Sequence, residues 1–313
     1  MLGYIARRIL ATIPVMAIVA LLVFSLLYIA PGDPAAVIAG DQATPEDVER
    51  IRVNLGLDRP FVVRFAEWSG QVLRGDLGTS IFTNLPVTQM IRQRIEPTLS
   101  LTVVTLFMSI LIAVPLGVVA AWKVGSWFDR LVMAFAVLGF SVPVFVVGYL
   151  LAYVFALVLD WLPVQGYTPI SEGVWPWLQN LILPAIALGG IYIALIARIT
   201  RSTMLDVLNQ DYIRTARAKG LGQRPMLFVH ALKNAAVPII TVIGIGIALL
   251  IGGAVVTESV FAIPGLGRLT VDAILRRDYP VIQGLVLMFS FVYVLVNLLI
   301  DISYTFIDPR IKY

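Results

Sequence analysis

Long apolar runs dominate the pattern of hydrophobic and polar positions along the chain. Six runs carry no charged residue, and they cover residues 9–30, 97–122, 131–159, 178–197, 235–257 and 281–300. A helix needs roughly 20 mostly apolar residues to cross about 30 Å of hydrocarbon. The pattern therefore predicts an all-α membrane protein with six transmembrane helices.

These runs divide the chain into three parts. Residues 1–30 form the N-terminus and first helix, residues 31–96 a long loop, and residues 97–313 a five-helix core that contains a polar loop at 201–234. The first run follows Arg7 and Arg8 as in a signal peptide, but it is longer than the 7 to 15 apolar residues such peptides use. We expect it to remain as an uncleaved helix.

The composition also indicates a membrane protein, and it limits the kinds of disulfide, metal and ion-binding site that the chain can form. Hydrophobic residues make up 59% of the chain and charged residues 13%, whereas soluble domains are about half apolar and a quarter charged. The chain has no cysteine and one histidine, which excludes disulfides and thiolate metal sites and argues against a histidine-based one. The spans lack ionisable residues, which argues against an ion-coupled carrier.

The distribution of lysine and arginine predicts the orientation. With a cytoplasmic N-terminus, the inner segments hold thirteen basic residues and the two short outer loops hold three. The remaining seven lie in the 31–96 loop, where nine acids outnumber them. Short loops rich in lysine and arginine stay in the cytoplasm. Both termini are therefore expected inside, and the net charge of +4 needs no nucleic acid to explain it.

The long outer loop carries helix start and stop signals. Thr44 precedes Pro45 and an acidic pair, with Gly56 beyond, and a second helix is predicted from Pro60 to Gly75. Two interpretations remain open, namely a packed cap without chemistry and a docking surface for an extracytoplasmic partner.

Residues 201–234 are predicted to fold as two short helices outside the membrane. Apolar residues recur at helical spacing, and charged residues occupy the other faces: Leu205, Leu208, Tyr212, Ile213 and Ala216 against Asp206, Asp211, Arg214, Arg217 and Lys219. Gly220 ends the first helix, and Pro225 is placed to start the second, with Phe228, Val229 and Leu232. Such a surface fits docking into a groove of a motor protein or attachment to anionic lipid.

Sequence motifs for nucleotide chemistry are missing. The chain has no GxxxxGK[ST] phosphate loop, and Gly265-Leu266-Gly267 lacks the spacing and the context of a dinucleotide fingerprint. The chain is therefore predicted not to be an enzyme and not to bind ATP itself. Its driving energy is expected from another subunit.

Several span residues have two open interpretations. The prolines Pro14, Pro115, Pro143 and Pro184 fit kinks along a translocation path as well as ordinary structural kinks. Glycines of the fifth run favour close helix packing. The polar span residues could line a path or bond to neighbouring helices, namely Ser109, Ser141, Tyr149, Thr241 and Asn297.

The polar loop resembles the cytoplasmic coupling loop, or EAA loop, of ABC importer permeases. Residues 215–220 read TARAKG and residues 230–238 read HALKNAAVP. The general motif has Glu-Ala-Ala, three residues and then glycine, and only Ala216 and Gly220 match it. This departure is typical of the dipeptide, oligopeptide, glutathione and nickel branch of the type I importers.

Further matches to the first permease subunit of that branch follow in order along the chain. They are Pro31-Gly32-Asp33-Pro34, Leu55-Gly56-Leu57-Asp58, Gly75-Asp76-Leu77-Gly78, Pro97-Thr98-Leu99, Glu258, Pro264-Gly265-Leu266-Gly267-Arg268, Arg277-Asp278-Tyr279-Pro280 and Asp308-Pro309-Arg310. Each motif is weak by itself, and the ordered set is specific.

The resemblance implies a fold, partners and a mechanism. The fold would be the six-helix, MetI-like permease fold with a helical extracytoplasmic loop. The partners would be a homologous second permease, two ATP-binding subunits that hold ATP and magnesium, and an extracytoplasmic solute-binding protein. The chain would lie in the bacterial inner membrane and move peptides by alternating access. Its contact with the ATPases would involve Tyr212, Ala216, Arg217, Lys219, Gly220 and His230.

Three alternatives remain at this point. The solute could be a nickel chelate or another small molecule, because a separate binding protein selects it. The chain could instead be a self-sufficient channel or carrier, or a structural subunit of a membrane enzyme complex. His230, a lone histidine, fits an ATPase contact or an ordinary hydrogen-bonded loop residue.

Overall fold

The structure is a computed structural model that describes residues 2–29, 33–39, 43–54 and 56–307. Three of the motif matches fall wholly or partly elsewhere in the chain: Pro31-Gly32, Leu55 and Asp308-Pro309-Arg310 lie outside the described residues. The described segments fold almost entirely as helices, in agreement with the predicted all-α class.

Thirteen α-helices follow one another along the described residues. They are α1 (Leu2–Ile29), α2 (Pro34–Ala39), α3 (Pro45–Asn54), α4 (Phe61–Leu73), α5 (Val87–Trp122), α6 (Trp127–Ser141), α7 (Val144–Leu151), α8 (Val174–Leu208), α9 (Asp211–Ala218), α10 (Gln223–Pro225), α11 (Leu232–Val260), α12 (Leu266–Arg276) and α13 (Tyr279–Ile307). π-helical turns continue α7 over Ala152–Val158 and join α10 to α11 over Met226–Ala231. A short 3₁₀ turn covers Ile170–Glu172.

Five long apolar helices and one bent pair account for the predicted spans. The pair consists of residues Trp127–Ser141 and Val144–Val158, whose axes differ by 103°. Proline lacks an N–H and disfavours helical geometry in the residue before it, and Val142 is extended, with φ −97° and ψ 123°. The third run is therefore broken at Pro143, and six spans result if the pair counts as one.

The described chain divides into two compact units, one of residues up to Ile95 with Leu269–Val294, and one of Glu96–Arg268 with residues from Leu295 onward. In the first unit, the short helices of the long loop were predicted correctly in position. Thr44 caps α3, since the Asp47 N–H donates to Thr44 Oγ1 at 3.2 Å, and α4 follows Pro60 and ends before Gly75. α2 was not predicted.

Aromatic contacts hold α4 against α1 in the first unit. Phe24 lies 5.3 Å from Phe61, 5.5 Å from Phe65 and 5.2 Å from Trp68 between ring centroids. The guanidinium of Arg64 lies 5.6 Å from the centre of the Phe24 ring, in the range of cation–π contact. This packing accounts for the α4 face predicted from the sequence, and a docking role for the other faces of α4 stays a prediction.

Close helix contacts organise the second unit around α8. A Cβ on Gly117 of α5 would lie 2.6 Å from the Thr200 side chain of α8, and one on Gly189 of α8 would lie 2.8 Å from Met108 of α5. In the fifth run, a Cβ on Gly244 would lie 2.0 Å from Ile300. Small residues therefore let these helices approach closely, as predicted for Gly244.

Candidate functional site

The predicted coupling residues lie on and beside α9. α8 ends at Leu208, and Gln210 is extended, with φ −73° and ψ 149°, before α9 begins at Asp211. An acid in the first turn and Arg217 in the last turn both suit the charges of the helix ends. The amphipathic helix expected from Leu205 onward is thus two helices, because the chain turns at residues 209 and 210.

One side chain anchors α9 to the rest of the second unit. Ile213 is 1% exposed and belongs to a buried cluster with Met204, Met226, Leu227 and Ala231. Burying a side chain of this size is worth about 1.5–3 kcal/mol. The position of α9 is therefore fixed by its inward side, and its other faces remain accessible.

The predicted apolar face is wrong at Tyr212. This side chain is 43% exposed and points away from Ile213, because neighbouring positions on a helix are about 100° apart. Partial burial raises the pKa of the Tyr212 hydroxyl, while a hydrogen bond with Asn234 acts in the opposite direction. Ala216 is half-buried, and Arg217 and Lys219 are exposed.

The turn after α9 has the hydrogen bonds of a Schellman motif. The Gly220 N–H donates to the Arg217 carbonyl at 3.0 Å, and the Leu221 N–H donates to the Ala216 carbonyl at 3.2 Å. Gly220 has φ +80°, a conformation that glycine adopts with little strain. A Cβ on Gly220 would meet no atom of the described residues within 4 Å. Glycine is therefore explained by the backbone conformation at this position and not by a shortage of space for a side chain.

The prediction of a separate second short helix after Gly220 is wrong. Pro225 lies in the first turn of α10 as expected, but the π-helical turn then leads directly into α11. The segment is therefore one end of the fifth span. Phe228 and Val229 are 45% and 59% exposed, and His230 is exposed beside them.

We call this exposed area the α9–α10 surface, and it consists of Tyr212, Arg214, Arg217, Lys219, Arg224, Phe228, Val229 and His230. It combines the side chains of Tyr212, Phe228 and Val229 with those of three arginines and one lysine. Of the predicted coupling residues, half-buried Ala216 lies behind it, and Gly220 lies in the turn that follows α9. The structure thus brings together the residues that the sequence placed in one loop.

An ion pair between α6 and α8 was not predicted as a site. The Asp129 carboxylate in the first turn of α6 accepts hydrogen bonds from Nε and Nη2 of Arg201 in α8. Arg201 was counted only as a basic residue for orientation. The one sequence signal was Ser126 three residues before Asp129, typical of a helix start, and it gives no indication of the partner.

A second polar centre lies where α11 ends, at a motif that the sequence singled out. Glu258 is fully buried, accepts a hydrogen bond from Thr98 Oγ1 at 2.6 Å and another from the Arg268 N–H at 2.9 Å. The Leu266 N–H donates to Thr98 Oγ1 at 2.8 Å. A Cβ on Gly265 would lie 2.2 Å from Glu258. The Pro264–Arg268 turn is therefore wrapped around this carboxylate.

Two other motifs meet in the first unit. Ser80 Oγ donates to Asp278 at 2.5 Å, and the Ile81 N–H donates to the same carboxylate at 3.3 Å. A Cβ on Gly78 would lie 3.8 Å from Pro280. The Gly75–Ser80 and Arg277–Pro280 motifs thus join the loop to the start of α13, a structural role.

The polar span residues have different local surroundings. The Ser141 and Thr241 hydroxyls each donate to a carbonyl four residues earlier in their own helices. Ser109 is fully buried, and Tyr149 is 60% exposed. Among the described residues, no three acidic or histidine side chains are grouped as metal ligands.

Two family models together cover almost the whole chain. The "Binding-protein-dependent transport system inner membrane component" model matches residues 113–313, and the corresponding N-terminal model matches residues 1–102. Among solved structures, the MetNI methionine ABC transporter in an inward-facing conformation has a TM-score of 0.59 at 17% identity, over 70% of this chain and 97% of that one. This likeness shows the fold alone.

Curated relatives match from end to end. The probable peptide ABC transporter permease protein y4tP of Sinorhizobium fredii is 57% identical over 99% of both chains. The glutathione transport system permease protein GsiC of Salmonella typhimurium is 44% identical over the full length of both. The dipeptide transport system permease protein DppB of Alkalihalophilus pseudofirmus is 42% identical, also over the full length of both.

These matches confirm the predicted class. The chain is a multi-pass permease subunit of an ABC importer in the inner membrane, and the ATPase resides in a partner rather than in this chain. A partner ATPase and a solute-binding protein follow from the family in general. The chain belongs to the family of inner membrane components of binding-protein-dependent transport systems.

Proposed function

We propose that this chain is the permease subunit of an importer that carries peptides, including dipeptides or glutathione, by alternating access. The full-length relatives named as peptide, dipeptide and glutathione permeases support the solute class. The complete complex contains a homologous second permease, two ATP-binding subunits that hold ATP and magnesium, and the binding protein. This chain needs no cofactor of its own.

The observation that carries the coupling proposal is the α9–α10 surface. Tyr212, Phe228 and Val229 expose apolar area next to Arg217 and Lys219, a combination that fits a protein groove with acidic and apolar walls. Attachment to anionic lipid requires an apolar helix face turned outward. Ile213, the main apolar residue of α9, is buried inward instead. We therefore assign the surface to the ATPases.

ATP binding is then transmitted through this surface. Closure of the two ATPases displaces α9 and the turn at Gly220, and the attached spans open a path to the outside. Hydrolysis returns them. Coupling of this kind requires contacts that differ between the two states, and the α9–α10 surface is where this chain makes them.

Reconstitution of the whole importer tests the proposal. Vesicles that contain both permeases, the ATPases and the binding protein are expected to take up labelled dipeptide or glutathione only with ATP, and this chain alone is expected to show no ATP hydrolysis. Uptake of a nickel chelate but of no peptide would contradict the solute class. Uptake by this chain alone would contradict the importer and favour a self-sufficient carrier.

Surface labelling tests the orientation, with both termini in the cytoplasm. Because the chain has no cysteine, single cysteines are clean reporters, and Glu67, Glu172, Asp206 and Gln223 are all exposed. We expect an impermeant thiol reagent to label positions 67 and 172 in cells with a permeabilised outer membrane, and to leave 206 and 223 unlabelled until the inner membrane is opened. Labelling of 223 from outside would reverse the orientation.

A further inference from the structure

The ion pair between α6 and α8 is built as a rigid joint. Asp129 is 3% exposed and accepts Nε and Nη2 of Arg201, the second at 2.7 Å. The Gly125 N–H donates to the same carboxylate at 3.0 Å, and the Asp129 N–H donates to Ser126 Oγ at 3.3 Å. Two parallel hydrogen bonds between a guanidinium and a carboxylate fix the plane of both groups as well as their distance.

The same two helices stay in contact along the length of α6. A Cβ on Gly139 would lie 3.0 Å from Ala194 and 3.2 Å from the Gly190 carbonyl. The guanidinium of Arg198 lies 5.4 Å from the centre of the Phe140 ring. α6 is therefore joined to α8 near both of its ends, and the 103° bend after it separates it from α7.

α8 also leads to the α9–α10 surface. From Arg201 the helix continues for seven residues, about 10 Å, to Leu208, and α9 starts three residues later. A displacement of α9 thus reaches Arg201 through a continuous helix. Arg201 holds Asp129, and Asp129 lies two residues before the third apolar run.

We propose that the Asp129–Arg201 pair makes α6 move as one body with α8, so that displacement of α9 by the ATPases is passed to the third span. Asp129 and Arg201 are positioning residues in this scheme, since they act by holding α6 against α8. The inference rests on the proposed function of the α9–α10 surface, and it names the first step inside the membrane domain.

A distance measurement on the parent protein tests the joint directly. Trp127 and Ser202 are exposed, and each can be replaced by a spin-labelled cysteine in the assembled importer. We expect the 127–202 distance to be the same without nucleotide and in the ATP-bound state, while the distance from 202 to a label on the second permease changes. A change in the 127–202 distance as large as that second change would overturn the proposal. If neither distance changed, both the proposal about the ion pair and the proposed coupling function of the α9–α10 surface would be contradicted.

Substitution of the carboxylate tests the consequence for transport. Allosteric couplings typically change affinities by about 5- to 150-fold, so in Asp129→Asn we expect transport to fall about tenfold or more, with ATPase association and ATP hydrolysis within about twofold of the parent. The 127–202 distance distribution should broaden. Arg201→Lys keeps the charge and loses the two-pronged contact. Its transport rate should lie between that of Asp129→Asn and that of the parent.

A neighbouring charge provides the control. Arg130 is exposed, and Arg130→Gln is expected to transport at the parent rate. Parent-rate transport by Asp129→Asn would contradict the proposed role of the ion pair. The coupling role of the α9–α10 surface would still stand if variants of that surface lost transport. If Asp129→Asn failed to assemble, the parent distance measurement would decide the question alone.

Discussion

Gly220→Trp is expected to abolish ATP-driven transport while the chain still inserts and still binds the second permease. Gly220 has φ +80°, where an L-residue is strained by roughly 1–2 kcal/mol. Among the described residues, a Cβ there would meet nothing within 4 Å, so we expect the indole to project outward beside the α9–α10 surface. Uptake and ATP hydrolysis by the reconstituted importer, with ATPase co-purification, measure the effect.

Gly220→Asn is the matched control. Asparagine tolerates the left-handed conformation better than other L-residues and projects much less bulk, so this variant should retain most of the transport. Transport by Gly220→Trp at the parent rate, with the ATPases bound, would show that the surface does not couple. A weak effect on transport with normal ATPase association would favour the lipid interpretation.

Arg217→Glu is expected to give the same loss by a different route. The Arg217 side chain is exposed at the end of α9, and reversing its charge places like charges together if the partner groove is acidic. Burying such a mispaired charge costs about 2–5 kcal/mol. Arg217→Gln, which removes the charge without reversing it, should lose less, and an equal loss in both variants would argue against an acidic partner.

The second large effect is expected from Glu258→Ala, which should destabilise the Pro264–Arg268 turn and reduce the yield of folded protein. The carboxylate accepts hydrogen bonds from Thr98 and from the Arg268 N–H in a fully buried place. Each buried donor left without a partner costs about 1–3 kcal/mol, and a cavity adds to this. Thermal unfolding of the purified permease pair measures the loss.

Ser259→Ala provides the control on the next residue. Ser259 is exposed, and its hydroxyl donates to the Val255 carbonyl of the same helix, so its removal should leave the unfolding temperature close to the parent value. Glu258→Gln keeps the shape of the side chain and one acceptor oxygen. Its unfolding temperature should lie between those of Glu258→Ala and Ser259→Ala. An unfolding temperature of Glu258→Ala equal to that of the parent would mean that the turn is held by other contacts.

Local sequence patterns were enough for much of the fold. Charge-free runs predicted the spans, and Thr44, Pro60 and Gly220 marked helix ends that the structure confirms. These signals act through the chain's own neighbouring atoms, since a cap or a positive φ is decided within four or five residues. The orientation and the role of the α9–α10 surface remain predictions.

Features that depend on distant residues could not be predicted in this way. Nothing near Asp129 indicates Arg201, 72 residues away, and Glu258 meets Thr98 across 160 residues. The face of α9 was assigned wrongly at Tyr212, because the break at residues 209 and 210 changed the phase of the helix. The bend at Pro143 was predicted as a kink without its size.

That bend has a consequence for how the protein enters the membrane during synthesis. α6 has 15 residues, as does α7 with its π-helical continuation, and each is about 22 Å long at 1.5 Å per residue, too short to cross about 30 Å of hydrocarbon. Residues 131–159 are nevertheless one uninterrupted apolar stretch. We expect the insertion machinery to admit this stretch as a single unit, and the two halves to separate only when α8 is available to hold the first of them.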